Sequence, residues 1–202
     1  VEHTGQSFPF AVQGEMYMLI EVDGDEQEQL FNELEKINEV LEESEVLEVL
    51  LADSAAQKGS LWKIRRSLGE AVKAHSTYKE EDTVVPRAAL PQLYHGVKEI
   101  GQRYGFESVC YGHAGDGNLH VNILKAGMTD EEWSGSRLEE GIREIFRLCK
   151  ELGGTISGEH GIGYVQKKYM NEVMSEAHLN VMRSIKSSLD PNGIMNPSKI
   201  FD

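Results

Sequence analysis

The sequence is poor in cysteine and contains no long apolar run. Its two cysteines, Cys110 and Cys149, are far apart and form no Cys-x-x-Cys motif. We therefore expect buried free thiols, as in a reducing cytoplasm, and no disulfide or cysteine-ligated metal. No apolar stretch approaches the roughly 18 residues that a transmembrane helix needs, and the first residues do not resemble a signal peptide. The sequence thus argues against a secreted or membrane-spanning protein.

Positive charge is also scarce. The 202 residues include 20 lysines and arginines against 34 aspartates and glutamates, which gives a formal net charge of −14. That sign disfavours binding to nucleic acid or to an anionic membrane. The length suits one ordinary domain or two small ones, and the start at Val1 rather than Met suggests a fragment or a processed chain.

Hydrophobic periodicity predicts an α+β fold. The predicted helices cover about 26–43, 57–74, 90–104, a long helix after the capping box Thr129-x-x-Glu132, and 175–189; the predicted strands cover 16–22, 46–52, 83–86, 107–113, 119–124 and 155–157. Residues 81–158 thus follow the split βαβ order of a ferredoxin-like unit, with an antiparallel sheet and flanking helices. We interpret residues 15–80 as a partial copy of that unit and residues 1–14 as a linker.

Two histidines flank an Asp-Gly pair in the predicted hairpin. If Asp116 and Gly117 form a two-residue turn, His113 and His120 lie directly opposite each other on one face of the sheet. Asn122 shares that face because side chains alternate along a strand. Two imidazoles in this arrangement suit a divalent cation, whereas single histidines elsewhere in the chain are more simply surface or core residues.

A second polar cluster, at residues 157–163, follows the last predicted strand. Glu159 is the candidate third ligand, because two histidines and one carboxylate leave an open coordination position of the catalytic type. His160 would point elsewhere, and we assign it the role of general base. The glycines nearby also fit ordinary turns, and they lack the strand-then-helix setting of a phosphate-binding loop.

Three longer motifs stand out: Gly112-His113-x-Gly115-Asp116-Gly117-Asn118-Leu119-His120-x-Asn122, Ser157-Gly158-Glu159-His160-Gly161-Ile162-Gly163 and Asp190-Pro191-x-Gly193-Ile194-x-Asn196-Pro197-x-Lys199. Together they resemble the C-terminal domain of FAD-linked oxidases, a family that includes D-lactate dehydrogenases, the glycolate oxidase flavoprotein subunit and D-2-hydroxyglutarate dehydrogenase. Two shorter segments, Leu61-Trp62-x-x-Arg65 and Asp82-x-Val84-Val85-Pro86, also match. The resemblance therefore extends from about Met16 to Phe201.

The resemblance implies a cap and substrate domain over residues 15–188. This domain would cover a flavin held by a separate, N-terminal FAD-binding domain. The tail, residues 189–202, would dock toward that domain, with Asn196 as a flavin contact. His113, His120 and Glu159 would hold zinc or manganese.

The resemblance also implies roles in substrate binding and oxidation. Arg65 and Asn122 would bind the carboxylate or hydroxyl of a small 2-hydroxy acid, and His160 would remove the hydroxyl proton. Lys79, or alternatively Lys73, matches a substrate-binding lysine. Hydride would then pass from C2 to the flavin. Gly69 replaces a hydroxyl residue of some relatives that prefer dicarboxylic acids, so we expect a substrate of the D-lactate or glycolate type.

Two other functions remain open from the residues alone. The same three ligands suit a self-contained metallohydrolase, and they also suit a non-catalytic metal-binding module. Since the chain has no dinucleotide-binding fingerprint, we expect it to bind metal but not to turn over substrate by itself. The electron acceptor is left open among a quinone, a cytochrome, an electron-transfer flavoprotein and oxygen, and a homodimer is included among the candidate assemblies.

Overall fold

The computed structural model describes Gly5, Pro9, Phe10 and residues 14–201. The chain divides into two compact units, Val1–Ala74 and His75–Asp202. Most of the predicted linker, residues 1–14, lies outside the described residues. Within the described part of the chain, no helix is both long enough and apolar enough to cross a membrane.

The first unit is built from helices. They are α1, Gln27–Glu42, α2, Ala55–Arg66, and α3, Leu68–His75, whose last residue belongs to the second unit. The prediction of a helix at 26–43 is therefore confirmed, and the helix predicted at 57–74 is present but divided by one residue, Ser67, into α2 and α3. The Ser67 hydroxyl donates to the Ile64 carbonyl at 2.7 Å.

The two strands predicted in the first unit are also wrong. Residues 16–22 and 46–52 have irregular structure, and their apolar side chains are largely exposed, with Met18 at 63% and Leu47 at 66%. A short apolar run is compatible with several structures, and it becomes a strand only where another strand can pair with it. Since the described residues of this unit form no sheet, the predicted partial ferredoxin-like copy keeps its helices but not its strands.

The second unit contains an antiparallel sheet of four strands in the order β2-β3-β1-β4. Its strands and helices follow the chain as β1 Tyr78–Val84, α4 Leu90–Tyr104, β2 Glu107–His113, β3 Asn118–Leu124, α5 Asp130–Ser134, α6 Ser136–Glu151, β4 Thr155–Ile156, α7 Met170–Val173 and α8 Glu176–Leu189. This order and strand arrangement confirm the predicted ferredoxin-like unit. The strand predicted at 83–86 in fact spans Tyr78–Val84. The prediction missed its first residues because Lys79–Asp82 are all charged.

Local signals located the helix ends well. Gly105 adopts a left-handed conformation (φ 81°) at the end of α4, as a C-terminal glycine should. Thr129 forms the predicted capping box with Glu132. That box begins the short helix α5, however, and the long helix α6 starts only after Gly135, whose extended backbone separates the two helices.

One face of the sheet packs against α4 and α6. Val121 and Ile123 of β3 are fully buried there, in a cluster with Leu93, Val97, Ile142, Ile145, Phe146 and Cys149. Burying each such aliphatic side chain contributes roughly 1.5–3 kcal/mol. Cys149 is a buried free thiol, as predicted, and Cys110 is free but only half-buried. Burial raises the pKa of Cys149 to about 12, so this thiol is unreactive near neutral pH.

Candidate metal and substrate site

The hairpin between β2 and β3 sets the spacing of the two predicted metal-binding histidines. Its strands pair His113 with Asn118 and Tyr111 with His120. The predicted two-residue Asp-Gly turn is therefore wrong. Residues 114–116 form a 3-10 turn, and Gly117 closes the loop in a left-handed conformation (φ 75°). The loop has four residues instead of two, so the register differs from the predicted one by two residues.

A shift of two residues keeps every side chain on its predicted face, because the side-chain period of a strand is two. His113 and His120 are therefore diagonal neighbours on one face, not directly opposite as predicted. Their ring centroids are 6.0 Å apart, within the reach of diagonal pairs in a sheet. The two imidazoles therefore lie close together on one face, as predicted, although the predicted turn is wrong.

Glu159 completes a three-residue cluster on this face. Its Oε1 lies 3.0 Å from His120 Nε2 and 3.7 Å from His113 Nε2. One ligand atom from each of the three residues lies within 4.8 Å of the others. These separations suit donors that surround one divalent cation at about 2 Å each. His120 is buried, whereas His113 and Glu159 are about half exposed.

His160 lies beside these three residues. Its ring stacks on that of His120, with centroids 4.7 Å apart and planes 16° apart. Its Nε2 is 3.7 Å from Glu159 Oε1. The prediction that His160 points away from the ligands is therefore wrong. The side chain is 48% exposed, so a small molecule can reach the ring.

Asp82 holds the loop that carries Glu159 and His160, and sequence reasoning missed this role. One of its carboxylate oxygens, Oδ2, accepts hydrogen bonds from the backbone N–H groups of Glu159 (2.9 Å) and His160 (2.8 Å). The same oxygen accepts from the Ser157 hydroxyl at 3.0 Å, and Oδ1 accepts from Asn118 Nδ2 at 2.6 Å. The signal that could have identified Asp82 is its place in the Asp-x-Val-Val-Pro segment.

The pKa of Asp82 reflects this set of donors. Burial acts to raise the pKa of the carboxyl, but the hydrogen bonds from His160, Glu159, Asn118 and Ser157 together hold it below its usual range. Asp82 is therefore a carboxylate at neutral pH. Ser157, at the start of the loop, has a left-handed backbone (φ 63°), an unfavourable conformation that its two bonds to Asp82 help to maintain.

His120 is in the neutral form that a metal ligand needs. Burial, and then the neighbouring His160, hold the pKa of His120 below its usual value, so the ring keeps a lone pair at neutral pH. Its Nδ1 is buried without a hydrogen-bond partner. The closest carboxylate oxygens to this atom in the described structure belong to Glu80, at 3.6 Å, and Asp82, at 3.8 Å.

Asn122 is fully buried on the same face, next to His120 along β3. Both its amide nitrogen and its amide oxygen lack a hydrogen-bond partner. A buried amide without hydrogen-bond partners lowers the free energy of unfolding by roughly 1–3 kcal/mol. It therefore marks a place where a bound ligand can supply the missing hydrogen bonds. The predicted substrate contact Asn122 and the predicted ligand His120 are therefore brought together.

The structure does not bring Lys79 into this cluster. Alternation along β1 places it on the helix-covered face, opposite to Glu80 and Asp82. Its ammonium donates to the Trp133 carbonyl and lies 4.4 Å from the centre of the Trp133 ring. Burial, and then Lys168, lower its pKa. Lys79 does line a cleft of about 600 Å³ beside the edge of β1, which His160 and Glu80 also line.

Three other predicted site residues belong to other segments of the chain. Arg65 is half-buried on α2 of the first unit, and Lys73 of α3 pairs with Glu70 at 3.0 Å. Asn196 is exposed in the tail, with a left-handed backbone (φ 48°). The tail returns to the loop after residue 160, since the Ile200 N–H donates to the Gly163 carbonyl at 2.8 Å.

Comparison with known families agrees with the motifs. The profile of the family "FAD linked oxidases, C-terminal domain" matches residues 1–200. A D-lactate dehydrogenase of Anaerostipes hadrus is 35% identical over 185 residues, which cover 91% of this chain and 39% of that protein. A D-2-hydroxyglutarate dehydrogenase of Stutzerimonas stutzeri is 33% identical, with 96% and 42% covered.

A third relative is the glycolate oxidase subunit GlcD of Bacillus subtilis. It is 32% identical over 185 residues, which cover 91% of this chain and 39% of that protein. The chain therefore spans about two-fifths of the length of the curated relatives that it matches.

Proposed function

This chain belongs to the C-terminal domain family of the FAD-linked oxidases, and we propose that it is the metal-bearing substrate domain of an FAD-dependent dehydrogenase or oxidase of small 2-hydroxy acids. The names of three relatives, which refer to D-lactate, D-2-hydroxyglutarate and glycolate, support this substrate class. Within it we favour an acid of the D-lactate or glycolate type.

The observation that carries the proposal is the cluster of His113, His120 and Glu159, whose ligand atoms lie within 4.8 Å of one another. Two imidazoles and a carboxylate fit zinc or manganese and leave coordination positions for a substrate. The buried, neutral His120 supports this role, because desolvation favours a neutral ligand that can receive a cation. A bound divalent metal would supply Lewis acidity that lowers the pKa of a substrate hydroxyl.

The other polar residues of this face have complementary roles in the proposal. His160 stacks on His120, is half exposed and lines the cleft, so it can take the hydroxyl proton as general base. Asn122 can satisfy its unpaired amide by hydrogen bonds to the substrate. Arg65 is the proposed guanidinium for the substrate carboxylate. Lys79 stays a second candidate, because it lines the cleft that His160 also lines.

The hydride acceptor is proposed to be FAD, bound mainly by a separate domain of the complete enzyme. A bound flavin would take the hydride that leaves C2. α8 has an exposed apolar stripe, with Val181 at 60%, Ile185 at 55% and Leu189 at 77%. We propose that this stripe and the tail, which includes Asn196, dock toward the flavin domain, because apolar patches of this kind usually mark an interface.

The metal site is tested first, by measuring metal affinity. His113→Ala and His120→Ala should each lower the affinity for Zn²⁺ or Mn²⁺ by at least about 100-fold, since the loss of a ligand costs more than the loss of an outer partner. Isothermal titration and metal analysis after dialysis measure this. His95→Ala is the matched control, because His95 is exposed on α4. Unchanged metal content in both ligand variants would contradict the proposal.

The base is tested in the complete, FAD-containing enzyme. His160→Ala should lower turnover of a 2-hydroxy acid by about 10²–10⁴-fold, while the metal content stays unchanged. Turnover close to normal would rule out His160 as the base. Hydrolysis of an ester or amide by this chain without flavin would instead favour the metallohydrolase.

A further inference from the structure

The cleft beside β1 exists because β4 is short. β4 pairs only with Thr83 and Val84, so the described structure has no strand next to Tyr78–Asp82 on that side. The loop 160–166 and the start of α6 border the open space instead, which has a volume of about 600 Å³. This volume lies within the range of small-molecule sites, about 300–1,000 Å³.

Gln166 lines the cleft with a buried amide that is incompletely paired. The residue is 5% exposed, and its backbone is held in a turn, because the Gln166 carbonyl accepts from the Tyr169 N–H at 2.9 Å. The amide oxygen, Oε1, is buried without a hydrogen-bond partner. Such atoms are rare in folded proteins, and a donor on a bound molecule would complete this one.

Glu81 lies beside this amide and also lines the cleft. It is almost fully buried, and its hydrogen bond from Gln166 Nε2 to Oε2 is long, at 3.5 Å. The two side chains therefore leave acceptor oxygens, rather than donors, in need of partners. A group that donates hydrogen bonds fits this part of the cleft better than one that only accepts them.

The charged side chains that line the cleft carry both signs. Lys79 and Lys168 are basic, whereas Glu81 and Glu139 are acidic, and Lys168 pairs with Glu139 at 3.2 Å. A ligand carboxylate would be repelled by the two acidic groups, and a ligand ammonium by the two basic ones. A neutral donor, of which a hydroxyl group is the simplest, avoids both penalties.

His160, the proposed base, lines the same cleft. A 2-hydroxy acid held at His160 can therefore extend its chain beyond C2 into this space. D-lactate has six non-hydrogen atoms and fills only part of it, since a water-sized group takes about 30 Å³. The cleft thus has room for a longer chain.

We propose that the cleft beside β1 is a subsite for the distal chain of the substrate, where Gln166, supported by Glu81, accepts a hydrogen bond from a hydroxyl group. The substrate class is then a D-lactate-type acid extended by a chain that carries a second, neutral hydroxyl group. The inference rests on the proposed function for the reaction at C2 and for the place of His160 beside it.

A closed pair of Gln166 and Glu81 is the rival explanation for the unpaired amide oxygen. A protonated Glu81 can donate to Gln166 Oε1 after rotation of the amide, and then neither group needs a ligand. Burial raises the pKa of Glu81 to about 7, so at pH 8 most of this carboxyl is ionised and has no proton to donate. The test is therefore made at pH 8.

Kinetics of the complete, FAD-containing enzyme test the preference for a hydroxyl group. Acids of the D-lactate type with four, five and six carbons and a terminal hydroxyl are each compared with the acid in which a methyl group replaces that hydroxyl. At one or more of these lengths, kcat/KM should be at least about 10-fold higher for the hydroxyl acid, because a site that hydrogen-bonds a hydroxyl rejects analogues that lack it. D-2-hydroxyglutarate should be a poorer substrate than the five-carbon hydroxyl acid.

Two variants locate the preference. Gln166→Met replaces the amide by an unbranched apolar side chain, and the ratio of the two kcat/KM values should fall to about one. The loss should appear mainly in KM of the hydroxyl acid, because the terminal group takes no part in the reaction. Glu81→Leu should lower the ratio less. Gln102→Met, on the exposed side of α4, is the matched control and should leave the ratio unchanged.

A binding measurement does not depend on turnover. In the complete enzyme labelled with ¹⁵N-glutamine and kept without an electron acceptor, the side-chain amide signal of Gln166 is assigned by its loss in Gln166→Met. A saturating concentration of the preferred hydroxyl acid should shift this signal more than the matched methyl acid does, while the Gln102 signal stays in place.

Equal kcat/KM for hydroxyl and methyl acids at every length, or a preference that persists in Gln166→Met, would overturn the subsite. Oxidation of D-lactate by the same preparation would leave the proposed function intact. If no 2-hydroxy acid is oxidised, the proposed function fails and the amide signal decides, since an unshifted signal also overturns the subsite. Melting curves identify a variant that does not fold, and the comparison of acids on the unaltered enzyme then decides.

Discussion

The two faces of the four-stranded sheet are both buried along β3, but they are buried for different reasons. On the helix-covered face Val121 and Ile123 pack among the apolar side chains of α4 and α6. On the other face His120 and Asn122 are equally inaccessible, at 4% and 0% exposure. One strand therefore carries an apolar core and a polar site, residue by residue in alternation.

Hydrogen bonding separates the two faces more sharply than burial does. Among the described residues, four of the five buried side-chain atoms without a partner belong to Asn118, His120 and Asn122 on the polar face. Buried polar groups without hydrogen-bond partners lower the free energy of unfolding, so they do not help to stabilise the folded unit. The helix-covered face thus stabilises the unit, whereas the unpaired groups of the polar face fit the proposed ligand site.

The largest expected effect on stability comes from Asp82, the polar-face residue that is well satisfied. Asp82→Ala leaves four donors without their acceptor, so the free energy of unfolding should fall by about 3–5 kcal/mol at pH 7. Urea denaturation measures this. Because the pKa of Asp82 is lowered in the folded state, its contribution is present above the unfolded pKa of about 3.9 and is lost as the pH falls below it.

The control for this variant is Asp82→Asn, which keeps the shape of the side chain and one oxygen acceptor. It should lose less stability than Asp82→Ala. If Asp82→Ala were as stable as the unaltered protein at pH 7, the anchoring role of this carboxylate would be wrong.

The next prediction compares the loss of stability caused by substitutions at two adjacent residues of β3. Ile123→Ala removes a fully buried side chain from the apolar face, and the free energy of unfolding should fall by about 2–5 kcal/mol. Asn122→Ala removes an amide that has no partner, so stability should change by less than about 1 kcal/mol or rise, while substrate affinity of the complete enzyme falls. Equal destabilisation by the two variants would contradict the distinction between the faces.

Glu81 is an acidic side chain on the otherwise apolar helix-covered face. Its substitution should change the free energy of unfolding somewhat less than Ile123→Ala does. It is 2% exposed, and burial raises its pKa to about 7. A carboxyl whose folded pKa is raised favours folding below its unfolded pKa, of about 4.3, and this advantage is lost as the pH rises through about 7. Glu81→Gln should therefore raise the free energy of unfolding at pH 8, by up to about 3 kcal/mol.

The same variant should differ little from the unaltered protein at pH 3.3, where the carboxyl is largely protonated in both states. Thermal melts at the two pH values measure the difference, with Glu107→Gln on β2 as the exposed control. A pH-independent effect of Glu81→Gln would show that ionisation of Glu81 does not weaken the apolar face.

The smallest expected effects concern the loop that joins β2 and β3. A Cβ on Gly117 would lie 2.0 Å from the Val85 carbonyl oxygen, and its φ is 75°, so Gly117→Ala should cost about 1–3 kcal/mol and should weaken metal binding by displacing His113. Gly115→Ala meets no atom within 4 Å and should change stability by less than about 0.5 kcal/mol. Similar melting temperatures for the two variants would contradict the role of Gly117 in setting the register.

Much of the second unit follows from local patterns. The apolar stripes of α4 and α6, the glycine at 105 and the capping box at Thr129 predicted the helices and most of their ends. The order of strands and helices then predicted the ferredoxin-like arrangement, because few arrangements accommodate that order. The same patterns failed in the first unit, where residues 16–22 and 46–52 are apolar but unpaired in the described structure.

The candidate site was only partly accessible to such reasoning. The face shared by His113 and His120 was predictable, because an error of two residues in the register does not change the face. The stacking of His160 on His120, the anchoring by Asp82 and the place of Glu80 were not predictable. Each depends on a contact between β1, β3 and the loop after β4, which are up to 78 residues apart in the chain.

The amino-acid sequence alone determined the family, most helices of the second unit and the side of the sheet on which the two histidines lie, since these depend on motifs and on local periodicity. Only the tertiary structure decided the register of the hairpin, the placement of Lys79 on the opposite face and the convergence of Glu80, Asp82 and Glu159 around the imidazoles. The physical reason is that strand pairing and loop closure join distant segments, and their geometry depends on the whole sheet rather than on any one segment of the chain.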